Sequence, residues 1–338
     1  MITHRERLEA TLAGEKTARL PIALWRHFPV DDQSPQDLAA ATLNFQRNYD
    51  FDLVKVTPSS SHFCKDWGIM DQWEGSSEGT RRYTKTVIHK PEDWEKLPVL
   101  EPDATHLAEL ITCLRLIRSG VGPETPILQT IFSPLAQAKN LVGKEHIVKH
   151  IRKYPEAVLK GLETITESTR RFIEAMLSDK EIALDGVFYS VQHAQASLLT
   201  PEEYGTFGLA FEKRSIQPAT DLWCNLLHLH GEDLYFEQII SDDALGAYFP
   251  IINWHDRDTP PTLQAARAQT KHVFCGGLSR ETMVLGTPKD IQAEANDALE
   301  QTEGKGFILG TGCVVPITAP HGNIVAAKEI ALNATGKN

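Results

Sequence analysis

The sequence predicts a single (β/α)8 TIM barrel, and three observations carry that expectation. Short apolar runs alternate with amphipathic helical stretches along all 338 residues, the pattern of a parallel sheet with helical crossovers. Eight such runs can be counted, each followed by a helix. No G-x-G-x-x-G follows the first run, which removes the usual reason to prefer a doubly wound open sheet.

Taken in order, residues 3–14 read as an opening helix. Thr3 caps it, Glu6 completes a capping box and Gly14 ends it. Strands are expected over residues 20–25, 53–57, 127–131, 186–190, 225–230, 247–253, 272–275 and 306–309. Between them the helical pattern falls at 35–48, 106–119, 144–149, 155–177, 201–220, 234–240, 262–270 and 287–301, and a final helix at 324–334. Pro155, Pro201 and Pro288 stand at first helical positions, where a missing N–H costs nothing. Residues 64–103, rich in Trp, Gly and charge, form an extended insert after the second strand, and their 85–90 stretch alternates as a hairpin strand would. The whole, 1–338, is expected to be one domain.

Composition narrows the function. At 41% hydrophobic residues the chain can bury a large core. Its formal charge of −11 speaks against nucleic acid and anionic membranes as partners. No apolar run is long enough to span a bilayer. The start, Met1 to Arg7, lacks the apolar stretch of a signal peptide, so a cytoplasmic location is expected. The cysteines Cys64, Cys113, Cys224, Cys275 and Cys313 show no pairing spacing and read as free thiols.

Two segments carry the chemistry. Asn225-Leu226-Leu227-His228-Leu229-His230 reads as a buried strand stopped by Gly231. Side chains alternate along a strand, so His228 and His230 share one face while Leu227 and Leu229 share the other. Residues 306–310 form a second apolar strand, followed by Cys313. Two imidazoles and a thiolate suit Zn²⁺ with a fourth position open; Glu232 or Asp233 could fill it at rest, or could instead be favourable charges at a helix start. The plainer reading is a core cysteine and two histidines bonded within a polar pocket.

A barrel puts its chemistry at the C-terminal ends of its strands. That gathers Arg26 and His27 after the first strand, Ser59, Ser60, Ser61 and His62 after the second, Gln192 and His193 after the fourth, and His255 and Asp256 after the sixth. Arg26, His27 and His193 are candidate substrate contacts. His255 and Asp256 are candidates for proton transfer, although Asp256-Arg257-Asp258 before Thr259-Pro260-Pro261 also reads as a solvated turn.

The chain resembles the uroporphyrinogen decarboxylase superfamily, which also contains cobalamin-dependent methyltransferases. The resembling pieces are Arg5-Glu6-Arg7-Leu8 leading to Arg19-Leu20-Pro21-Ile22, then Asp185-Gly186-Val187, then His228-x-His230-Gly231. Gly276-Gly277 with Gly286-Thr287-Pro288 follows, and Phe307-Ile308-Leu309-x-x-Gly312-Cys313 with Pro316 and Asn323 completes the set. The resemblance implies a TIM barrel. It divides at the site. The decarboxylases carry a second arginine in the first-strand motif, where this chain runs Phe28-Pro29-Val30. They carry an aspartate after the second strand, where it has Thr57-Pro58-Ser59-Ser60. Their tyrosine after the third strand falls near Asn140, and their histidine after the eighth falls at Cys313. The methyltransferases hold zinc with His-x-Cys after the fifth strand and Cys after the eighth, matched here by His228 and Cys313 with His230 in place of a thiolate.

The resemblance therefore implies a zinc-dependent methyltransferase with ligands His228, His230 and Cys313, and a corrinoid as co-substrate. The implied partners are a small-molecule acceptor and a corrinoid protein, and a homodimer is among the implied assemblies. The alternatives are a cofactor-free decarboxylase of a porphyrinogen or other carboxylated substrate, and a non-catalytic tetrapyrrole or corrinoid carrier.

Overall fold

The computed structural model describes residues 2–241 and 244–334. Its strands, in chain order, are β1 (Val54–Val56), β2 (Met70–Gln72), β3 (Arg82–Lys85), β4 (Ile127–Phe132), β5 (Gly186–Val191), β6 (Leu226–Leu229), β7 (Ile251–Trp254), β8 (Val273–Leu278) and β9 (Phe307–Thr311). Seven of them form one curled parallel sheet in the order β1-β4-β5-β6-β7-β8-β9, with β2 and β3 as a separate antiparallel pair. Helices between successive strands surround the sheet. This is the expected TIM-barrel fold.

The eighth stave is extended chain, not a regular strand. Residues 20–25 meet β9 through Ala23 N–H to the Leu309 carbonyl and Leu309 N–H to the Pro21 carbonyl, both 2.9 Å. On the other side the Asp52 N–H donates to the Ile22 carbonyl at 2.9 Å, just ahead of β1. The segment thus lies between the two ends of the sheet. Pro21 has no N–H to give, so the ladder cannot run regularly through it.

Side chains alternate as a strand period of two demands. Ala23, Leu53, Leu128, Phe188, Leu226, Ile251, Val273 and Ile308 form the inner core of the barrel. Leu227, Leu229, Ile252, Trp254 and Phe274 belong to the outer core beneath the helices.

Two buried carboxylates fasten the N-terminal ends of the strands. Asp52 accepts from Arg7 (2.6 Å), from Arg19 (2.8 and 2.9 Å), from His4 (3.0 Å) and from the Ile22 N–H (2.8 Å). Asp185 accepts from the Ile127 N–H (2.9 Å) and pairs with Arg5 and Arg118, both at 2.5 Å. The arginines of the opening helix and of the segment after it are therefore structural here, at the face where barrel enzymes keep their stabilising contacts. That helix begins with the expected Thr3–Glu6 capping box.

Other expectations need correcting. The hairpin strand of the insert is Arg82–Lys85, ahead of 85–90, where the Val87 and Ile88 N–H groups bond instead to the Leu141 carbonyl at 2.9 and 3.0 Å. Helix Pro134–Val142 lies where none was expected, and the helix placed at 144–149 runs Ile147–Lys153. The stretch 201–220 is helical but passes through a π-turn at Gly205–Leu209. The sixth predicted strand starts only at Ile251, because Leu245–Tyr248 coils into a 3₁₀ turn against the preceding helix. Among the described residues, no helix is long and apolar enough to cross a membrane.

Candidate metal centre

The strand register assembles the centre. β6 and β7 pair in parallel with His228 opposite Asn253 and Leu229 opposite Trp254. Continued by one residue, that pairing sets His230 beside His255. Cys313 arrives from the turn after β9. One ligand atom from each of His228, His230, His255 and Cys313 lies within 4.8 Å of all the others. His230 Nδ1 is 3.4 Å from His255 Nε2 and 3.9 Å from Cys313 Sγ.

These separations suit a tetrahedral ion. Zn–N bonds of 2.0–2.1 Å and Zn–S bonds of 2.3 Å put neighbouring ligand atoms about 3.3 Å (N to N) and about 3.6 Å (N to S) apart. The protonation states suit one too. His228 is 2% exposed, and burial, with His230 and His255 beside it, holds its pKa well below the usual value. Burial brings His230 down to about 3 and His255 to about 4. All three rings are thus neutral, with lone pairs to give. Burial pushes the Cys313 thiol up, opposed by Arg280, so a bound cation would have to expel its proton.

A further hydrogen bond fixes the His228 tautomer. Asn253 Nδ2 donates to the carbonyls of Cys275 (2.7 Å) and Thr311 (3.0 Å), which turns its Oδ1 toward His228 Nδ1 at 2.6 Å. Nδ1 must then carry the proton, and Nε2 is the free acceptor. Phe188 stacks on the His228 ring at 5.2 Å between centroids.

The expected trio is therefore brought together, and His255 joins it as a fourth donor. Asp256 turns away: its carboxylate accepts from the Gly277 N–H at 3.1 Å, and burial raises its pKa to about 7. Glu232 and Asp233 are exposed and lie outside the four-atom group. His27 is buried with Nδ1 unpartnered, and burial beside Lys55 lowers its pKa to about 3. Arg26 lies over Phe28 at 5.6 Å. His193, at φ 70°, also has an unpartnered Nδ1, near Lys139 and His230.

The insert reaches over this face. Arg280, after β8, pairs with Glu78 at 2.6 Å, and the Ile317 N–H donates to the Ser77 carbonyl at 2.8 Å. Gly79, at φ +81°, rests on His27, where a Cβ would come within 2.5 Å of the His27 Cβ. Beside the insert a cavity of about 540 Å³ opens onto His230 and His255.

Sequence reasoning passed over Lys55, Lys139, Asn253 and Arg280. Lys55 carried a signal, being a lysine inside an apolar strand. It is 7% exposed, donates to Thr57 Oγ1 at 3.2 Å and lies 4.4 Å from the Phe188 ring centroid. It has no carboxylate partner among the described residues, and burial brings its pKa down to about 7. An ammonium whose pKa is depressed by folding destabilises the fold below that pKa, and the penalty fades as pH rises toward the unfolded value of about 10.4. Lys55→Met should therefore raise stability by a few kcal/mol at pH 6–7. Urea unfolding should show the gain vanishing near pH 10, and a gain independent of pH would contradict this account.

Comparison with known proteins agrees with the architecture. Residues 3–332 match the family model described as uroporphyrinogen decarboxylase (URO-D). A curated relative, the methylcobamide:CoM methyltransferase MtaA of Methanosarcina barkeri, is 23% identical over 271 residues, covering 74% of this chain and 73% of its own. Among solved structures, a methyltransferase from Methanosarcina mazei superposes with a TM-score of 0.83 at 19% identity over 98% of both chains. A B12-independent methionine synthase from Shewanella sp. W3-18-1 gives 0.54 at 13% identity, over 93% of this chain and 94% of its own.

Proposed function

Since the chain belongs to the uroporphyrinogen decarboxylase (URO-D) family, we propose that it is a zinc-dependent methyltransferase moving a methyl group from a corrinoid to a small thiol acceptor. The observation that carries this reading is the convergence of His228, His230, His255 and Cys313 within 4.8 Å. A curated relative is a methylcobamide:CoM methyltransferase, which supports a corrinoid as the methyl donor; a corrinoid protein as its carrier is part of the proposal.

His228, His230, His255 and Cys313 would hold the ion. Bound there, zinc would supply a Lewis acid that keeps the acceptor sulfur deprotonated at neutral pH. Three neutral imidazoles and one thiolate balance only one of its two charges, so the set favours a further anionic ligand. Asn253 fixes His228 in the donor tautomer. His230 and His255 both line the cavity, so an acceptor entering from there meets the ligand set at these two residues. His27 and His193 remain candidate contacts for the second substrate, whereas Arg26 lies against Phe28, Thr42 and Phe45 on the helix side of its segment. A decarboxylase of a polycarboxylated tetrapyrrole needs a concentration of cationic donors, and the cavity offers a single guanidinium, Arg280.

The test begins with protein purified without chelator or metal-affinity tag. It should hold close to one zinc per chain, and with methylcobalamin and a thiol it should form the methyl thioether as the cobalamin spectrum changes. Protein that cannot take up zinc would sink the reading. Turnover of uroporphyrinogen by metal-free protein would replace it with the decarboxylase, and tight tetrapyrrole binding unaffected by His228→Ala would replace it with the carrier.

A further inference from the structure

We propose that the acceptor carries a positive charge, making it an amine-bearing thiol, because the cavity leading to the ligand set is ringed by carboxylates. The inference rests on the reading that the acceptor binds at His228, His230, His255 and Cys313.

Five charged residues line this cavity: Glu78, Glu232, Asp258 and Glu281 against Arg280 alone. The acids come from four separate segments, namely the insert, the loops after β6 and β7, and the helix Arg280–Leu285 that follows β8. Arg280 is already committed to Glu78 at 2.6 Å. Glu232 and Glu281 make no ion pair among the described residues, and Asp258 faces only the His255 ring, at 3.5 Å. Glu232, Asp258 and Glu281 are left over, against one positive charge on a zinc-loaded ligand set, in a cleft whose low-dielectric walls concentrate their field.

Two lysines act on the ligand atoms from the other side. Lys55 lies inside the barrel against Phe188, and Lys139 donates to Gln192 at 2.7 Å. Neither lines the cavity. A molecule entering by it passes the carboxylates first and leaves its non-reacting end among them once its sulfur reaches the ligand set. An ammonium there gains ion pairs, whereas a carboxylate or sulfonate is repelled.

The test has a readout that needs neither metal nor turnover. Cys313 is the one cysteine of the five that is not fully buried. Its reaction with methanethiosulfonates bearing a quaternary ammonium, a neutral methyl or a sulfonate group reports the local potential. Each rate is divided by that of the same reagent with free 2-mercaptoethanol, and Cys313→Ser identifies the reacting site. The normalised cationic rate should exceed the anionic by about tenfold or more, and the ratio should shrink toward unity in 1 M salt, where the Debye length is about 3 Å. Glu232→Gln with Glu281→Gln should reduce it several-fold. In cobalt-substituted protein, cysteamine should bind more tightly than its acidic analogue 3-mercaptopropionate, read from the sulfur-to-cobalt absorption. Equal rates, an anionic preference or an unreactive Cys313 would each overturn the inference. Failure of every thiol to reach cobalt would instead overturn the methyltransferase reading, while the modification rates would still report the sign of the charge around the cavity.

Discussion

Zinc content is expected to fall from close to one per chain to background in His228→Ala and in Cys313→Ser, and methyl transfer with it. The two residues reach the site from β6 and from the turn after β9, so a common loss would tie both segments to one ion. Losing one of four donors leaves three, and the ion then takes water in place of a group held ready by the fold. Asn253→Leu provides a subtler version. It leaves all four donors in place but removes the acceptor that fixes the His228 proton on Nδ1 at 2.6 Å. Loss of such an outer partner costs about 10–100-fold in metal affinity, which competition with a chromophoric chelator would measure. His228 is buried against Phe188, so its alanine variant could lose metal merely by unfolding. Circular dichroism and the thermal midpoint of each metal-free variant separate the cases. Full metal content in folded His228→Ala would remove that residue from the site.

Most of the architecture was legible because alternation and punctuation are local properties. The inward set of the barrel strands follows from period two, and the helix starts at Pro155, Pro201 and Pro288 from a missing N–H. Two misplacements have the same origin in reverse. Pro21 sits in an apolar run and breaks its ladder, while Pro134, one residue past a strand, starts a helix that the pattern concealed. His228, His230 and Cys313 could be named because they end strands. His255 was placed at the same mouth by the same rule, but as a candidate for proton transfer; its position among the ligand atoms could not be read that way. Its neighbours Asp256-Arg257-Asp258 look solvated, yet the Asp258 and Thr259 N–H groups both bond back to the His255 carbonyl, at 2.8 and 2.9 Å, and coil the turn. What sets His255 beside His230 is the β6–β7 register, and parallel register depends on how the crossover packs, which single-residue patterns do not encode.

Asp52→Ala is expected to destabilise the protein by about 3–5 kcal/mol, the usual cost of removing one partner of a buried ion pair. Asp52 is 0% exposed, and Arg7, at 7% side-chain exposure, has no other carboxylate among the described residues. Without Asp52, Arg7, Arg19 and the Ile22 N–H lose a shared acceptor at the point where residues 20–25 join β1 and β9. Burial pushes the Asp52 pKa up, but hydrogen bonds from His4 and Arg19 outweigh it and hold the carboxyl below its ordinary value. A carboxyl depressed by folding contributes its stability fully above the unfolded pKa of about 3.9, and the contribution is lost as pH falls through the folded value. His4, raised chiefly by its bond to Asp52, works in the opposite direction: its share is present below about 6.5 and is lost as pH rises through the folded value. Wild-type stability should thus have an acid limb below about pH 4 that Asp52→Asn flattens, along with a smaller decline above neutrality that disappears in the same variant. Urea titrations from pH 3 to 8 would show both limbs, and a loss under 1 kcal/mol at pH 7 for Asp52→Ala would mean the network adds little. Zinc uptake under native conditions should survive Asp52→Asn, because Asp52 lies at the N-terminal end of β1 and the ligand set at the opposite mouth. A fold fastened at one end and reactive at the other allows the two to be perturbed separately.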